Sequence, residues 1–580
     1  MLFWKQKKNL PFLILCAVFY LSLLPVAYGQ IIYESAPHHI TEHNLNIIEQ
    51  DGKLGVTNGK GNVVVPALYH KIRINKDNSI SGLPLREWLI LDGDNNFIKK
   101  VNYDTIDPIA KNLLKVGIGN KVGLADVGGN LISELREWKI FSFEGQYALV
   151  KEGDKYGVLN AGGSLTVPVA YDTLILGEDY LVGALVKEGK KKEWHALQYS
   201  GEILFKRDCD ALNIGNQGYF SFLENSSWGF LNYKGERTVP NQYDAVQPFI
   251  NGRAIAHYMG SDGVINRSGE WVIRPRKDRL QHLIDDIYVF YSKNENGLIS
   301  VSQGELYSTP HEFIPLSHGF LEKNENGQYG LISPKGERLL ITAYDEISDL
   351  QNDTVYLFKK GAQWGFVTKT GRIKSDFKTP IQTMFPMGDQ FVGVKIDHKY
   401  GFVDTNGDLR IANRYEAIGR FQENMAAVKL MGKWGYIDRI ERLFVQPRYD
   451  EAFDFENGCA IVGQGGLYGL VGTRGEEILK VEYDSLYRVP SGRFVLLKNG
   501  KQGLASQNGS LRIRPRYDEL IDLDNGYVLI RRGDKYGLLT ENGVNTIPLA
   551  YDSLVYDPYE KVYFASKSPT WQQLMINQPK

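Results

Sequence analysis

The sequence predicts an all-β fold built from tandem three-strand hairpin repeats of about 34 residues, stacked as an open solenoid or superhelical array. Two closed β-propellers are the alternative, because one ring typically holds about four to eight blades. Three recurring marks predict this. The first is an aromatic residue followed by Gly: Tyr156-Gly157, Trp228-Gly229, Tyr329-Gly330, Trp364-Gly365, Tyr400-Gly401, Trp434-Gly435, Tyr468-Gly469 and Tyr536-Gly537. The second is a Gly-bearing turn a few residues on, as at Lys234-Gly235, Asn406-Gly407 and Asn508-Gly509. The third is a Tyr-Asp pair, as at Tyr171-Asp172, Tyr449-Asp450 and Tyr517-Asp518; Tyr449, Tyr483, Tyr517 and Tyr551 are each 34 residues apart.

The chain begins with a segment outside this pattern. Lys5, Lys7 and Lys8 precede an apolar stretch from Leu10 to Leu24, and Ala27-Tyr28-Gly29 offers small residues before Gln30. Residues 1–29 read as a secretory signal peptide. The apolar run is shorter than the roughly 20 residues a spanning helix needs, and Leu13-Ile14-Leu15 before Cys16 is a poor lipidation signal. Residues 30–44 are a candidate N-terminal cap, 45–554 the repeat array, and 555–580 a degenerate C-terminal repeat or cap.

Within one unit, Tyr147 to Glu152 is a short β-prone strand and Gly153-Asp154-Lys155 a turn. Tyr156 to Leu159 is a second strand, and Asn160 to Gly163 a second turn, where Gly supplies positive φ. Leu165-Thr166-Val167 is a third strand running into Pro168, and Pro, lacking a donor, belongs at a strand end or edge. Degenerate copies then fall into place. The ladder runs from Gly55 through Leu89, Gly123, Gly157 and His195 to Gly537 and Gln572, sixteen places in all. A position that accepts Trp, Tyr, Leu54 or Val122 selects bulk, which predicts a large side chain buried between hairpins. The Gly beside it predicts close backbone approach or a bulge.

The string Gly432-Lys433-Trp434-Gly435-Tyr436-Ile437-Asp438 resembles the WG, or KWG, repeat of bacterial proteins, and the resemblance runs from about residue 45 to 575. It implies a secreted or cell-associated β-repeat protein with no established catalytic residue.

Composition narrows the function classes. Without residues 1–29 the chain carries 64 basic against 68 acidic residues, a net −4, which gives no electrostatic argument for nucleic acid. Two cysteines, Cys209 and Cys459, lie some seven repeats apart and read as separate thiols. His39-Ile40-Thr41-Glu42-His43 fits H-x-x-E-H, the inverted zinc-protease string, which needs both His on one helical face. Its place beside the first repeat favours a polar terminal segment, leaving a zinc hydrolase as a remote alternative. The Asp residues of the Tyr-Asp pairs occupy equivalent places, whereas an acid/base pair needs two distinct environments. They read as acceptors for turn N–H groups, with Tyr packed between repeats. Arg414, Arg448 and Arg516 read as members of cross-strand pairs on a solvated face. Trp88 and Trp194, in degenerate copies, are candidates to turn outward as a sugar-stacking surface.

The reading is an exported, non-enzymatic scaffold, secreted, periplasmic or on the cell surface, that binds an unidentified protein. The alternative is a cell-wall or polysaccharide-binding module. It predicts no catalytic residue, metal or cofactor, no nucleic acid, and no membrane span after signal cleavage.

Overall fold

The computed structural model describes residues 31–33, 39–40 and 45–574, except 51, 75–78, 188–191, 278, 317, 350–354, 375–380, 387–390 and 405. The expected signal peptide lies outside the described residues, as do Glu42 and His43 of the histidine string. Within them every regular element is a β-strand.

A representative sheet has the antiparallel order Ala211–Ile214, Tyr219–Glu224, Ser227–Asn232, Arg237–Tyr243. Apolar residues fall on the middle strands, where Phe220, Phe222, Phe230 and Leu231 are buried. On the fourth strand Val239 and Tyr243 are buried, while Pro240 and Gln242, of the opposite parity in the pleat, are exposed. The turn before it is closed by Asn232, whose side chain accepts the N–H groups of Lys234 and Glu236, with Gly235 at φ 78°. This unit has one strand more than the three the sequence suggests. The extra one follows the Tyr-Asp pair directly, as in Thr173–Leu176 after Tyr171-Asp172. The Tyr ends the fourth strand of one sheet, and after the single intervening Asp the first strand of the next begins.

Among the described residues this arrangement recurs in thirteen four-stranded sheets and one three-stranded sheet, Thr105–Ala110, Leu113–Ile118 and Lys121–Ala125. Consecutive sheets share one apolar core. Met425, Ala427, Tyr436 and Tyr449 of one sheet pack with Phe455, Ala460 and Val462 of the next, so neither sheet buries its face alone.

The two ends of the series are joined. Ser553–Asp557 and Val562–Ser566 form the first two strands of a sheet completed by Glu87–Leu91 and Phe97–Asn102. Tyr563 pairs with Leu91, Phe564 with Ile90, Ala565 with Leu89 and Ser566 with Trp88. Tyr563 enters the core shared with the preceding sheet, and Phe564 the core shared with the three-stranded one. The tandem all-β stack is the expected one, but its ends are not left open. Strand pairing satisfies edges that an open array would expose.

A further sheet precedes the series and contains Leu45–Gln50, Lys53–Asn58, Val63–Ile74 and Ile80–Pro84. The C-terminal strand Gln572–Leu574 pairs with Ile80–Gly82 at its edge. The sixteenth ladder mark therefore lies outside the closing sheet, where Leu89 occupies the third-strand place. His39–Ile40, the described part of the zinc-protease string, is a strand paired with Leu45–Asn46 rather than a helical segment.

Candidate functional site

The sequence marks meet in space. Trp228 on the third strand lies opposite Tyr243 on the fourth, and the same pairing joins Tyr156 to Tyr171, Tyr329 to Tyr344, Tyr400 to Tyr415, Trp434 to Tyr449, Tyr468 to Tyr483 and Tyr536 to Tyr551. In every one of these pairs but Tyr536 with Tyr551, which are both half-buried, the two partners differ in burial. Tyr171, Tyr243, Tyr449 and Tyr517 are buried, while Tyr156, Trp228, Trp434, Tyr468 and Tyr536 are only half-buried. The sequence reading, which placed the aromatic before Gly in the core, is corrected here for most copies; Trp364 is the buried case. The reason is position. The Tyr continues into the junction with the next sheet, so it is covered from both sides, and Tyr243 donates its hydroxyl to the carbonyl of Gly269 there, at 3.2 Å.

The Gly beside the aromatic marks a bulge. After Trp228 pairs with Tyr243, Phe230 pairs with Val239, so two residues of the third strand face four of the fourth. The bulging strand brings the Val239 carbonyl to 2.7 Å from where a Gly229 Cβ would sit. Gly157, Gly330, Gly365, Gly401, Gly435, Gly469 and Gly537 face backbone of the fourth strand in the same way. Where the ladder carries Leu89 or His195, pairing runs through that place without a shift, and a side chain fits. Trp88 and Trp194 are buried at 3% and 6% exposure, so neither turns outward as a stacking platform.

The Asp residues brace the next sheet. Asp172 accepts Val186 N–H at 2.8 Å and Lys155 Nζ at 2.6 Å; Asp450 accepts Gly465 N–H at 2.7 Å and Lys433 Nζ at 2.5 Å. Asp518 and Asp552 bind Gly533 and Ser568 N–H groups and pair with Lys501 and Lys535. The lysine, then the turn N–H, holds the carboxyls of Asp172, Asp450, Asp518 and Asp552 below the usual carboxylate range. These carboxylates are committed to turns and lysines. Arg414 pairs with Glu441 at 2.9 Å, and Arg448 and Arg516 donate to the hydroxyls of Tyr449 and Tyr517. Cys209 is half-buried and Cys459 buried, both as free thiols, and burial pushes Cys209 up to about 12. Among the described residues, no three His, Cys, Asp or Glu side chains gather as metal ligands.

The first strand carries a surface the sequence reading missed. Two residues after the Asp or equivalent, Leu174, Leu486, Leu520 and Leu554 are buried; one residue further, Ile175, Tyr487 and Ile521 face solvent, while Val555 is half-buried. Phe453 is 44% exposed, Tyr487 51% and Ile521 45%, in three consecutive sheets, and Ile175 holds the same place in an earlier one. The recurrence of Leu486, Leu520 and Leu554 at 34-residue spacing is the signal that could have revealed this strand. Two clefts also lie between neighbouring units. One of about 540 Å³ lies between the Gly177–Tyr180 turn and the Asn213–Gln217 segment. The other, about 470 Å³, lies between Leu131–Trp138 and the Gly163–Leu165 turn, and there Arg136 pairs with Glu134 at 2.6 Å.

The family model described as WG containing repeat matches residues 228–256, 400–434, 434–468, 468–501 and 503–536. No curated protein matches the chain. Similar solved structures include BamB from Moraxella catarrhalis, at 10% identity and TM-score 0.21, covering 46% of this chain and 91% of that one. Another is the AfRom2 CNH domain, at 9% identity and TM-score 0.19, covering 41% and 92%. A third is the extracellular domain of the putative one component system BT4673 from B. thetaiotaomicron, at 10% identity and TM-score 0.17, covering 85% and 83%. Likeness at these scores carries no argument about this chain.

Proposed function

We propose that this WG-repeat-containing chain is an exported, non-catalytic scaffold whose exposed first-strand row binds other proteins in the cell envelope or outside the cell. One observation carries the reading: Phe453, Tyr487 and Ile521 are large, apolar, exposed and equivalent in three consecutive sheets. Single exposed apolar residues are ordinary, but a row repeated by the architecture marks an interaction surface. Tyr487 and Ile521 sit on the first strands of their sheets and Phe453 directly follows the first strand Glu451–Ala452 of its own, and each such strand is hydrogen-bonded on one side only. Its free edge offers backbone groups to an extended partner segment. The composition of residues 5–29 supports export. Among the described residues no helix is long and apolar enough to cross a membrane. The marks that recur in register have structural work: the glycines admit a bulge and the carboxylates hold turns, so the reading assigns no catalytic residue and no cofactor.

A photo-crosslinking side chain at Tyr487, in the full chain expressed in its own cell envelope, tests this. The expected result is a discrete protein adduct that disappears when Phe453→Ser and Ile521→Ser are added while the melting temperature holds. An adduct unaffected by those changes, or none above the level at an exposed control such as Asp154, would sink the reading. A reporter fused after residue 29 that stays in the cytoplasm would remove export from it.

A further inference from the structure

The cleft between the Gly177–Tyr180 turn and the Asn213–Gln217 segment includes the first-strand positions Ile175 and Asn213 but belongs to other sheets than Phe453, Tyr487 and Ile521, and it does not depend on the scaffold reading. Ile175, Leu176, Tyr180 and Ile214 give it apolar walls, and its volume is about 540 Å³. Glu178, Asp179, Asn213 and Asn216 also line it, and none of these four side chains is engaged by a hydrogen bond or ion pair among the described residues. This contrasts with the second cleft, whose Glu134 and Arg136 bind each other. The walls are set before any ligand arrives. Gly177 accepts the Tyr199 hydroxyl at 2.6 Å, and its N–H reaches the Tyr180 carbonyl at 2.9 Å. The facing turn is tied by Gly215 N–H to the Tyr219 carbonyl at 2.9 Å, and by Arg267 to Gln217 at 2.7 Å. The Gly177 turn lies so close to Ile214 that a Cβ there would meet the isoleucine at 2.9 Å.

The lining selects a chemistry. No Lys or Arg lines the cleft, and two carboxylates do, so an anionic ligand is disfavoured. Two amides and two carboxylates provide donors and acceptors close together, which suits vicinal hydroxyl groups. An apolar wall beside them covers the C–H face of a ring, and the volume falls in the range of small-ligand sites. We propose that this cleft binds a neutral saccharide, one or two sugar rings, held by Asn213, Asn216, Glu178 and Asp179 against Ile175 and Tyr180.

The test is calorimetric titration of residues 30–580 with cellobiose, maltose, mannobiose and N,N′-diacetylchitobiose. At least one should bind. Asn213→Ala with Asn216→Ala should weaken it about tenfold, the loss of two ligand hydrogen bonds, with an unchanged melting temperature. Asp179→Asn, which keeps the shape, gives a second variant whose affinity should also fall. Binding by none of the four at about 50 mM, well above the weak millimolar end of ordinary affinities, would overturn the proposal. So would equal binding by wild type and both variants. Calcium binding that Asp179→Asn abolishes, without any saccharide binding, would reassign the cleft to a cation.

Discussion

Trp228 and Tyr243, fifteen residues apart in sequence, face each other across the third and fourth strands of one sheet, and Tyr243 alone of the two is fully buried. The pair fixes how the repeat is read. The more conspicuous sequence mark is the half-covered residue, and the plainer Tyr closes the core between sheets.

Their energetic weights should differ accordingly. Tyr243→Ala removes a buried ring that packs on Tyr258 and Trp271 and should cost about 3–5 kcal/mol. Trp228→Ala should cost roughly 1–2 kcal/mol, in proportion to the smaller surface it covers. Urea denaturation followed by tryptophan or circular dichroism signals ranks the two. Equal losses would mean that the junction is not what the Tyr supports.

The bulge makes the next prediction. Gly229→Ala places a Cβ 2.7 Å from both the Val239 carbonyl and the Asn241 nitrogen, backbone atoms that cannot swing away. Its cost should be about 3 kcal/mol. Gly260→Ala, at φ 83° with open space around it, should cost about 1 kcal/mol from backbone strain alone. Chemical denaturation of the two variants checks the order.

Acid should loosen the joints between sheets. Asp172, Asp450, Asp518 and Asp552 are held below their ordinary range by lysines and turn N–H groups. A depressed carboxylate stabilises the fold fully above its unfolded value, about 3.9, and loses that contribution as pH falls through the folded value. The urea midpoint should therefore hold from pH 7 to about 5 and drop below about 4. Asp450→Asn should lower the midpoint at pH 7 and shrink the drop. An unchanged acid drop in that variant would remove Asp450 from the account.

Asp557 should behave in the opposite sense. It is fully buried at the end of the strand Ser553–Asp557, one carboxyl oxygen has no partner, and burial pushes its pKa up. A raised carboxylate favours folding below its unfolded value and loses that contribution as pH rises through the folded one. Asp557→Asn should slow amide exchange across residues 553–566 at pH 7 and leave it unchanged near pH 3. Faster exchange at pH 7 would contradict this assignment.

Ending the chain at Asp552 should expose the closure. Glu87–Leu91 would lose its partner strand, and the cores holding Tyr563 and Phe564 would lose both rings. A lower melting temperature and concentration-dependent association in light scattering are expected, because uncovered strand edges pair with other chains. A monomer as stable as the full chain would show that the joined ends contribute nothing.

Much of this was legible in the sequence. The 34-residue period, the Gly at positive φ in the second turn and the bulge beside the aromatic mark each follow from a local constraint on one or two residues. The first strand was not legible, because it is only two to seven residues long and its alternation is one Leu deep. Nor was the cleft at Gly177: its lining residues come from two turns some 36 residues apart, and only stacking brings them together.

The sequence by itself determined an all-β repeat, its period and the identity of its turns, since steric limits on Gly, Pro and Asn act within a few residues. Only the tertiary structure decided that the ends join, that Leu89 and Ala565 share a ladder, and that Tyr243 rather than Trp228 is buried. Those outcomes depend on which neighbouring sheet covers a side chain and which edge finds a partner, and long-range packing selects both.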